Sequence, residues 1–203
     1  MAGRGSYAKG IAKREEILDA ALQVVAREGY RGASVREIAD AVGLSQAGLL
    51  HYFDSKEELF VEILRTRDAH DLRELGPVDG DADAADTLSA AYRRIIERNS
   101  RVPGLVHLFA RLSVDAADPA HPAHDYFVAR NEAFRRTLEP AFTRAEEAGT
   151  LRTGIPVDVA ARTVQAAWDG AQLQWMLDAT VDMAAIVAAA FDALAPTGRT
   201  ADA

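Results

Sequence analysis

Ser34-Val35-Arg36-Glu37-Ile38-Ala39-Asp40-Ala41-Val42-Gly43-Leu44-Ser45-Gln46-Ala47-Gly48-Leu49-Leu50-His51-Tyr52 spells two short helices and the turn between them. Ser34 and Glu37 have the spacing of a capping box, in which the serine hydroxyl accepts the third helical amide and the glutamate reaches back to the serine amide. Val35, Ile38, Ala39 and Val42 then recur at helical spacing and form an apolar stripe. Gly43 is a natural left-handed stop, because a residue without a Cβ takes positive φ at no steric cost. Ser45 is placed to cap a second short helix running to about Tyr52. Two such helices joined by Gly43-Leu44-Ser45 make a helix-turn-helix pattern. Ala39 is small where the helices would cross, and Leu44 and Leu49 supply the apolar contacts that fix their angle.

Helical periodicity continues on both sides. Upstream, Ile17, Leu18, Ala21, Leu22 and Val25 share one face of a helix expected from about residue 11 to 28, with Gly29 ending it and Gly3 and Gly5 in an unstructured arm. Downstream, Ser55-Lys56-Glu57-Glu58 is a second capping box, opening a helix that carries Leu59, Phe60, Ile63 and Leu64. Residues 76–83 are a turn-rich linker. Further helices follow: one with Leu88, Ala91, Tyr92, Ile95 and Asn99; one opened by Pro103; one with Phe127, Phe134, Leu138 and Phe142 and a kink expected at Pro140. The last two run over about 157–178 and 183–194, before a frayed tail from Pro196. No segment has the two-residue period of a strand. The expected class is all-α, with a helix-turn-helix head over residues 1–56 and a helical body over 57–203.

Composition narrows the function classes. A chain of 203 residues with 49% hydrophobic and 27% charged residues has enough apolar material for a sizeable core. The absence of cysteine excludes disulfides, cysteine nucleophiles and cysteine-ligated metals. No uncharged apolar run approaches the roughly 18 residues of a membrane span, and no secretory signal is visible, so a soluble cytoplasmic protein without membrane partners is expected. The net charge of −8 argues against a protein that coats nucleic acid indiscriminately. Residues 1–53 nevertheless hold seven Lys/Arg against six Asp/Glu, and residues 54–203 sixteen against twenty-five. An acidic body with a near-neutral, basic-tipped head fits a molecule whose head alone meets a polyanion.

The second short helix offers Gln46, Ala47, Leu50, His51 and Tyr52 outward or to one side. Glutamine can read adenine through two hydrogen bonds, and alanine or leucine can touch a thymine methyl. Ser34, Tyr52 and Lys56 lie at helix ends or edges suited to gripping phosphate, and Arg36 and Ser45 complete the candidate DNA-binding set. A basic arm of Lys9, Lys13 and Arg14 is expected to add affinity with little specificity. A generic helical hairpin also has an apolar stripe and a glycine turn, so the local pattern alone leaves a purely structural role open.

Gly29-Tyr30-Arg31-Gly32-Ala33-Ser34 through Ser45, followed by Gly48-Leu49-Leu50-His51-Tyr52-Phe53-Asp54-Ser55-Lys56-Glu57-Glu58-Leu59, resembles the N-terminal domain of TetR-family transcriptional regulators. The resemblance covers about residues 9–64. It implies a three-helix DNA-binding head, a helix connecting it to the body, and a homodimeric all-helical body that binds an inducer. It places Ser34 at a phosphate-gripping position, Gln46 and Ala47 at the base-reading start of the recognition helix, and Tyr52 and Lys56 on its phosphate-binding flank. Leu50 stands where the family usually has tyrosine, and Gly48 where it often has threonine or alanine; glycine there costs the helix about 1 kcal/mol.

In the penultimate helix Gln165, Trp168, Asp169, Gln172 and Trp175 fall on one face. Apolar surface with a few oriented polar groups suits a ligand pocket, and it suits a core with amides at its edge equally well. Tyr92, His107, Phe109 and Arg111 are further ligand candidates on neighbouring helices. A different stripe, Ala166, Gly170, Leu173 and Leu177, together with the alanine-rich last helix, is compatible with the dimer interface that the resemblance implies, or with a monomer core. The expected partners are double-stranded operator DNA, a second copy of the chain and an unidentified small-molecule inducer, with no cofactor and no metal. The alternative is a helical-bundle enzyme or metal-binding protein whose head is only a fold element. His121, His124 and Asp125 are superficially ligand-like but follow a proline-rich break, and no nucleophile–base pair or glycine-rich phosphate loop is present.

Overall fold

A computed structural model describes residues 3–75, 84–152 and 154–195, except for the side chains of 3–9, 29–32, 74 and 84. The described chain is helical without strands: α1 (Gly3–Gly32), α2 (Val35–Ala41), α3 (Gln46–Leu49), α4 (Lys56–Leu75), α5 (Ala84–Ser100), α6 (Pro103–Asp115), α7 (His124–Glu147), α8 (Val157–Leu177) and α9 (Met183–Leu194). The expected linker 76–83 and the tail from Pro196 lie outside the described residues.

α1 is longer than expected at both ends. Gly3, Gly5, Gly29 and Gly32 all lie within it, because among the described residues positive φ occurs only at Gly43, Gly149 and Gly154. A glycine that keeps helical φ weakens a helix without stopping it. α3 is shorter than expected. The Tyr52 amide bonds the Leu49 carbonyl at 2.9 Å, a tightened turn, and the Tyr52 carbonyl accepts from the Arg14 guanidinium. Phe53 can then turn inward and is buried. Pro103 sits in the first turn of α6, where its missing amide hydrogen costs nothing, while Pro140 lies inside α7.

Packing divides the chain into two units that interleave in sequence. One takes the described residues of Met1–Ala69 and Val102–Tyr126, the other those of His70–Arg101 and Phe127–Ala203. α4 and α7 are each shared between them, so this division does not follow a single cut near residue 56. In the first unit α1 packs on α6 and α2, and α2 on α3. Its core comprises Ile17, Ala21, Val24, Val25, Ile38, Leu49, Phe53, Leu59, Phe60, Ile63 and Leu64, joined by Val106, Leu108 and Leu112. In the second unit α9 packs on α5 and α8. Leu88, Tyr92, Ile95, Ile96, Phe134, Leu138, Phe142, Val164, Trp168, Val187 and Phe191 belong to one continuous apolar cluster there.

Candidate functional site

The turn between α2 and α3 is built as its residues dictate. The Ser34 amide donates to Glu37 Oε2 at 2.9 Å, and the Glu37 amide donates to Ser34 Oγ at 3.2 Å, closing the capping box. These bonds from Ser34, the backbone one foremost, hold the Glu37 carboxyl below its ordinary pKa. At the other end of α2, Gly43 adopts φ 67°, its amide donates to the Asp40 carbonyl, and the Leu44 amide donates to the Ala39 carbonyl at 2.9 Å. That pair of bonds satisfies the last carbonyls of α2 and turns the chain at once. Ser45 Oγ then accepts from the Gly48 amide at 3.0 Å. A Cβ on Gly48 would lie 3.2 Å from this hydroxyl, a tight contact. The second expected box differs: Glu58 donates its amide to Ser55 Oγ, but its carboxylate accepts from the Asp54 amide rather than that of Ser55.

Buried Leu49 and Phe53 anchor this segment from behind. Ser45, Gln46, Ala47, Leu50 and His51 are exposed, as is Arg36, which pairs loosely with Asp40 at 3.8 Å; Ser34, Tyr52 and Lys56 are half-buried. The His51 and Tyr52 rings meet edge to face at 5.9 Å. The Lys56 ammonium lies 5.0 Å from the centre of the Phe60 ring. The exposed residues thus follow one another along α3 and the turn after it, over the buried Leu49 and Phe53.

The basic arm is placed differently from the sequence expectation. The Arg14 guanidinium lies 4.2 Å from the centre of the Phe53 ring, donates to the Tyr52 carbonyl and pairs with Glu58 and Glu62 at 3.2 and 3.6 Å. It ties α1 to α3 and α4. Lys13 bonds Glu16 and the Val42 carbonyl. Both are engaged inside the head, and the Lys9 side chain lies outside the described residues. No spacing in the sequence announces the Arg14 contacts, which link residues about 40 positions apart.

Farther along α4, Arg67 is almost wholly buried. Its guanidinium lies 5.0 Å from the centre of the Phe109 ring and donates to the Leu105 carbonyl at 3.5 Å. Asp68 accepts from the Tyr126 hydroxyl at 2.6 Å, and Arg65 lies over the same tyrosine ring. The helix that begins beside this exposed segment is therefore fastened at Arg67 and Asp68 to α6 and Tyr126.

The ligand candidates separate into the two units. His107, Phe109 and Arg111 belong to the first, where Arg111 is exposed and paired with Asp115 at 3.4 Å. Tyr92, Gln165, Trp168, Asp169, Gln172 and Trp175 belong to the second. There Tyr92 meets Trp168 edge to face at 5.5 Å and Phe134 at 5.0 Å, with Phe191 at 6.1 Å. Burial pushes the Tyr92 hydroxyl pKa far up, against a smaller lowering by the Arg130 charge. Gln165, Trp168 and Gln172 are buried; Asp169 and Trp175 are half-buried. Phe134 and Phe191 were not among the sequence candidates. The aromatic stripe on α7 was visible, but its meeting with α5 and α8 was not. Arg94, Glu97, Arg98 and Arg101 line a separate groove of about 400 Å³ at the C-terminal end of α5, where Arg98 pairs with Asp71.

The outer face of α8 exposes apolar residues beside the polar Arg162, Thr163 and Gln174. Val159, Leu173 and Leu177 are 45, 47 and 92% exposed, and a Cβ on Gly170 would meet nothing within 4 Å. Among the described residues no helix is long and apolar enough to cross a membrane, and no group of three His, Asp or Glu is placed to hold a metal.

Residues 17–63 match the model for bacterial regulatory proteins of the tetR family. The transcriptional repressor AcnR of Corynebacterium efficiens is 30% identical over 80% of this chain and 81% of its own length. The transcriptional repressor KstR2 of Rhodococcus jostii is 28% identical over 77% and 76%. Among solved structures, a complex of SmeT with triclosan superposes with a TM-score of 0.72 at 21% identity, covering 92% of this chain and 93% of that one. SmeT is the repressor of a multidrug efflux pump of Stenotrophomonas maltophilia.

Proposed function

The chain belongs to the TetR family of bacterial regulatory proteins, and we propose that it is a cytoplasmic, homodimeric repressor that binds a near-palindromic operator and is released by a small molecule. The family is one of transcriptional regulators rather than enzymes, which sets the enzyme alternative aside. The observation that carries the reading is the exposed run Ser45, Gln46, Ala47, Leu50 and His51, presented after a left-handed turn and backed by buried Leu49 and Phe53. Residues 1–56 serve as the DNA-binding domain and residues 57–203 as the dimerisation and effector domain.

In this reading Gln46 and Ala47 meet base edges, with Leu50 and His51 beside them, while Ser34, Arg36, Ser45, Tyr52 and Lys56 hold phosphates. The open stripe Val159, Ala166, Gly170, Leu173 and Leu177 is the dimer face, since an exposed apolar patch of this kind marks an association surface. Two heads related by a dyad then sit in successive major grooves, and a shift of a few Å in their separation penalises specific binding. α4 is the lever. It starts at Lys56 beside the reading segment and is clamped at Arg67 and Asp68. A ligand in the aromatic cluster shifts the equilibrium only by its differential affinity for two states, typically about 1–3 kcal/mol, and operator DNA weakens ligand binding by the same factor. That SmeT was solved with triclosan supports a body that takes a small, partly apolar molecule. Selecting DNA fragments with the purified protein tests the reading: a recovered two-fold symmetric sequence upholds it, and retention without sequence preference removes it.

A further inference from the structure

Among the polar atoms of the second unit that are buried without a partner in hydrogen bonding, two stand one turn apart on α8. They are Trp168 Nε1, a donor on a side chain 2% exposed, and Gln172 Oε1, an acceptor on one 1% exposed. The Gln172 amide nitrogen donates to the Trp168 carbonyl at 3.4 Å, which sets the sense of the amide and leaves its oxygen as the unmatched atom. Trp168 and Gln172 stand one turn apart on α8, so their side chains emerge as neighbours on one face, roughly 5–6 Å apart at Cβ. Each unmatched group is costly in an apolar setting, and one guest hydroxyl has both complements: its oxygen accepts and its proton donates.

The surroundings limit what else the guest carries. The rings of Tyr92, Phe134 and Phe191 lie within 5.0–6.1 Å of one another or of Trp168, Phe142 adds a further ring, and the other members of the cluster are apolar. The strong burial of the Tyr92 hydroxyl, which resists ionisation, shows how poorly this environment accepts a negative charge. Phe134 and Phe191, 9 and 7% exposed, are the least covered of the buried rings and the ones a guest would displace.

We propose that the body takes an uncharged hydroxyl compound on an apolar ring, a phenol in class, whose oxygen accepts from Trp168 Nε1 and whose proton goes to Gln172 Oε1. This rests on the reading of the body as the effector domain. The guest's ring replaces part of the contact that Phe134 and Phe191 make with Tyr92, and its hydroxyl matches both orphaned groups at once.

Calorimetric titration of the full-length protein with para-propylphenol, para-propylanisole and para-propylbenzoate tests the assignment. The ether accepts but cannot donate, and the benzoate is charged. The phenol should bind about tenfold or more tighter than either, a factor that corresponds to about 1.4 kcal/mol. Gln172→Met, close in volume, should erase the preference for phenol over ether, and Trp168→Phe should weaken both. Equal affinity for phenol and ether in the unaltered protein, preference for the benzoate, or no phenol binding each overturns the proposal. The unaltered protein carries this comparison even where Trp168→Phe fails to fold. Operator retention measured in the same samples separates the two readings. Retained DNA binding without phenol binding removes the ligand chemistry alone. Phenol binding that leaves DNA affinity unchanged upholds the site and removes its effector role.

Discussion

A Cβ on Gly104 would stand 1.8 Å from the carbonyl oxygen of Val25, far inside any non-bonded contact. The first turn of α6 rests directly on the backbone of α1, and only a hydrogen at this position allows it. Gly104→Ala must push the two helices apart. Overpacking typically costs about 1–3 kcal/mol, and a clash with backbone belongs at the upper end. Thermal unfolding should show Tm lower by roughly 10 °C. An unchanged Tm would mean that α6 does not seat on α1 in this way.

Arg14 and Lys56 are both cations of the head, but their surroundings assign them different work. Arg14 lies over Phe53 and binds Tyr52, Glu58 and Glu62, so Arg14→Met should destabilise the protein by about 1 kcal/mol, much of the ion-pair part being screened. The dependence of log affinity on log salt should stay as it is. Lys56→Ala should instead leave Tm nearly unchanged, weaken binding to all sequences alike and lower the salt slope by about one. Binding isotherms at several salt concentrations, beside melting curves, distinguish the two.

Gln46 is exposed at the first position of α3. Its replacement by alanine should change which base is preferred at one position of each half-site, with discrimination lost there by about 1–3 kcal/mol. Repeating the DNA selection with Gln46→Ala measures this directly, and an identical selected sequence would falsify base reading by that side chain.

The outer stripe of α8 predicts the assembly state. A Cβ at Gly170 finds open space in the single chain, so Gly170→Glu should leave the fold of one copy intact. Across a dimer interface the same carboxylate would be buried without a partner, at a cost of several kcal/mol. Sedimentation should give a dimer for the parent and a monomer for the variant, and a variant that stays dimeric places the interface elsewhere.

The capping box of α2 has a pH signature. Hydrogen bonds from Ser34 depress the pKa of Glu37 below its ordinary value of 4.5. A carboxyl with a depressed folded pKa contributes stability that is fully present above its unfolded value and is lost as pH falls through the folded one. The start of α2 should therefore loosen in acid below about pH 4.5, seen as a lower protection factor of the Glu37 amide relative to its intrinsic exchange rate at each pH. Glu37→Gln should flatten that dependence.

Local chemistry alone was enough for much of the head. The Ser34–Glu37 box, the Gly43 stop and the Ser45 cap each involve residues within a few positions of one another, so their hydrogen bonds are implied by spacing. The all-helical class and the limits of α8 and α9 were legible for the same reason, since helical bonds join near neighbours and apolar residues repeat at their period. The helix ends that differed were settled by contacts at longer range. α3 stops early where Arg14, from α1, takes the Tyr52 carbonyl.

Only the tertiary structure decided which charged and aromatic side chains meet. Arg14 is indistinguishable in sequence from a phosphate-binding arm residue until Phe53 is found beneath it. Phe109 and Tyr92 are alike as aromatic helix residues, yet one lies beneath Arg67 in the first unit and the other meets Trp168 and Phe134 in the second. The physical reason is that periodicity tells which face of a helix is apolar but carries no information about which other helix covers it. That choice depends on crossing points such as Gly104 on Val25, where the absence of one side chain permits contact between residues about 80 positions apart.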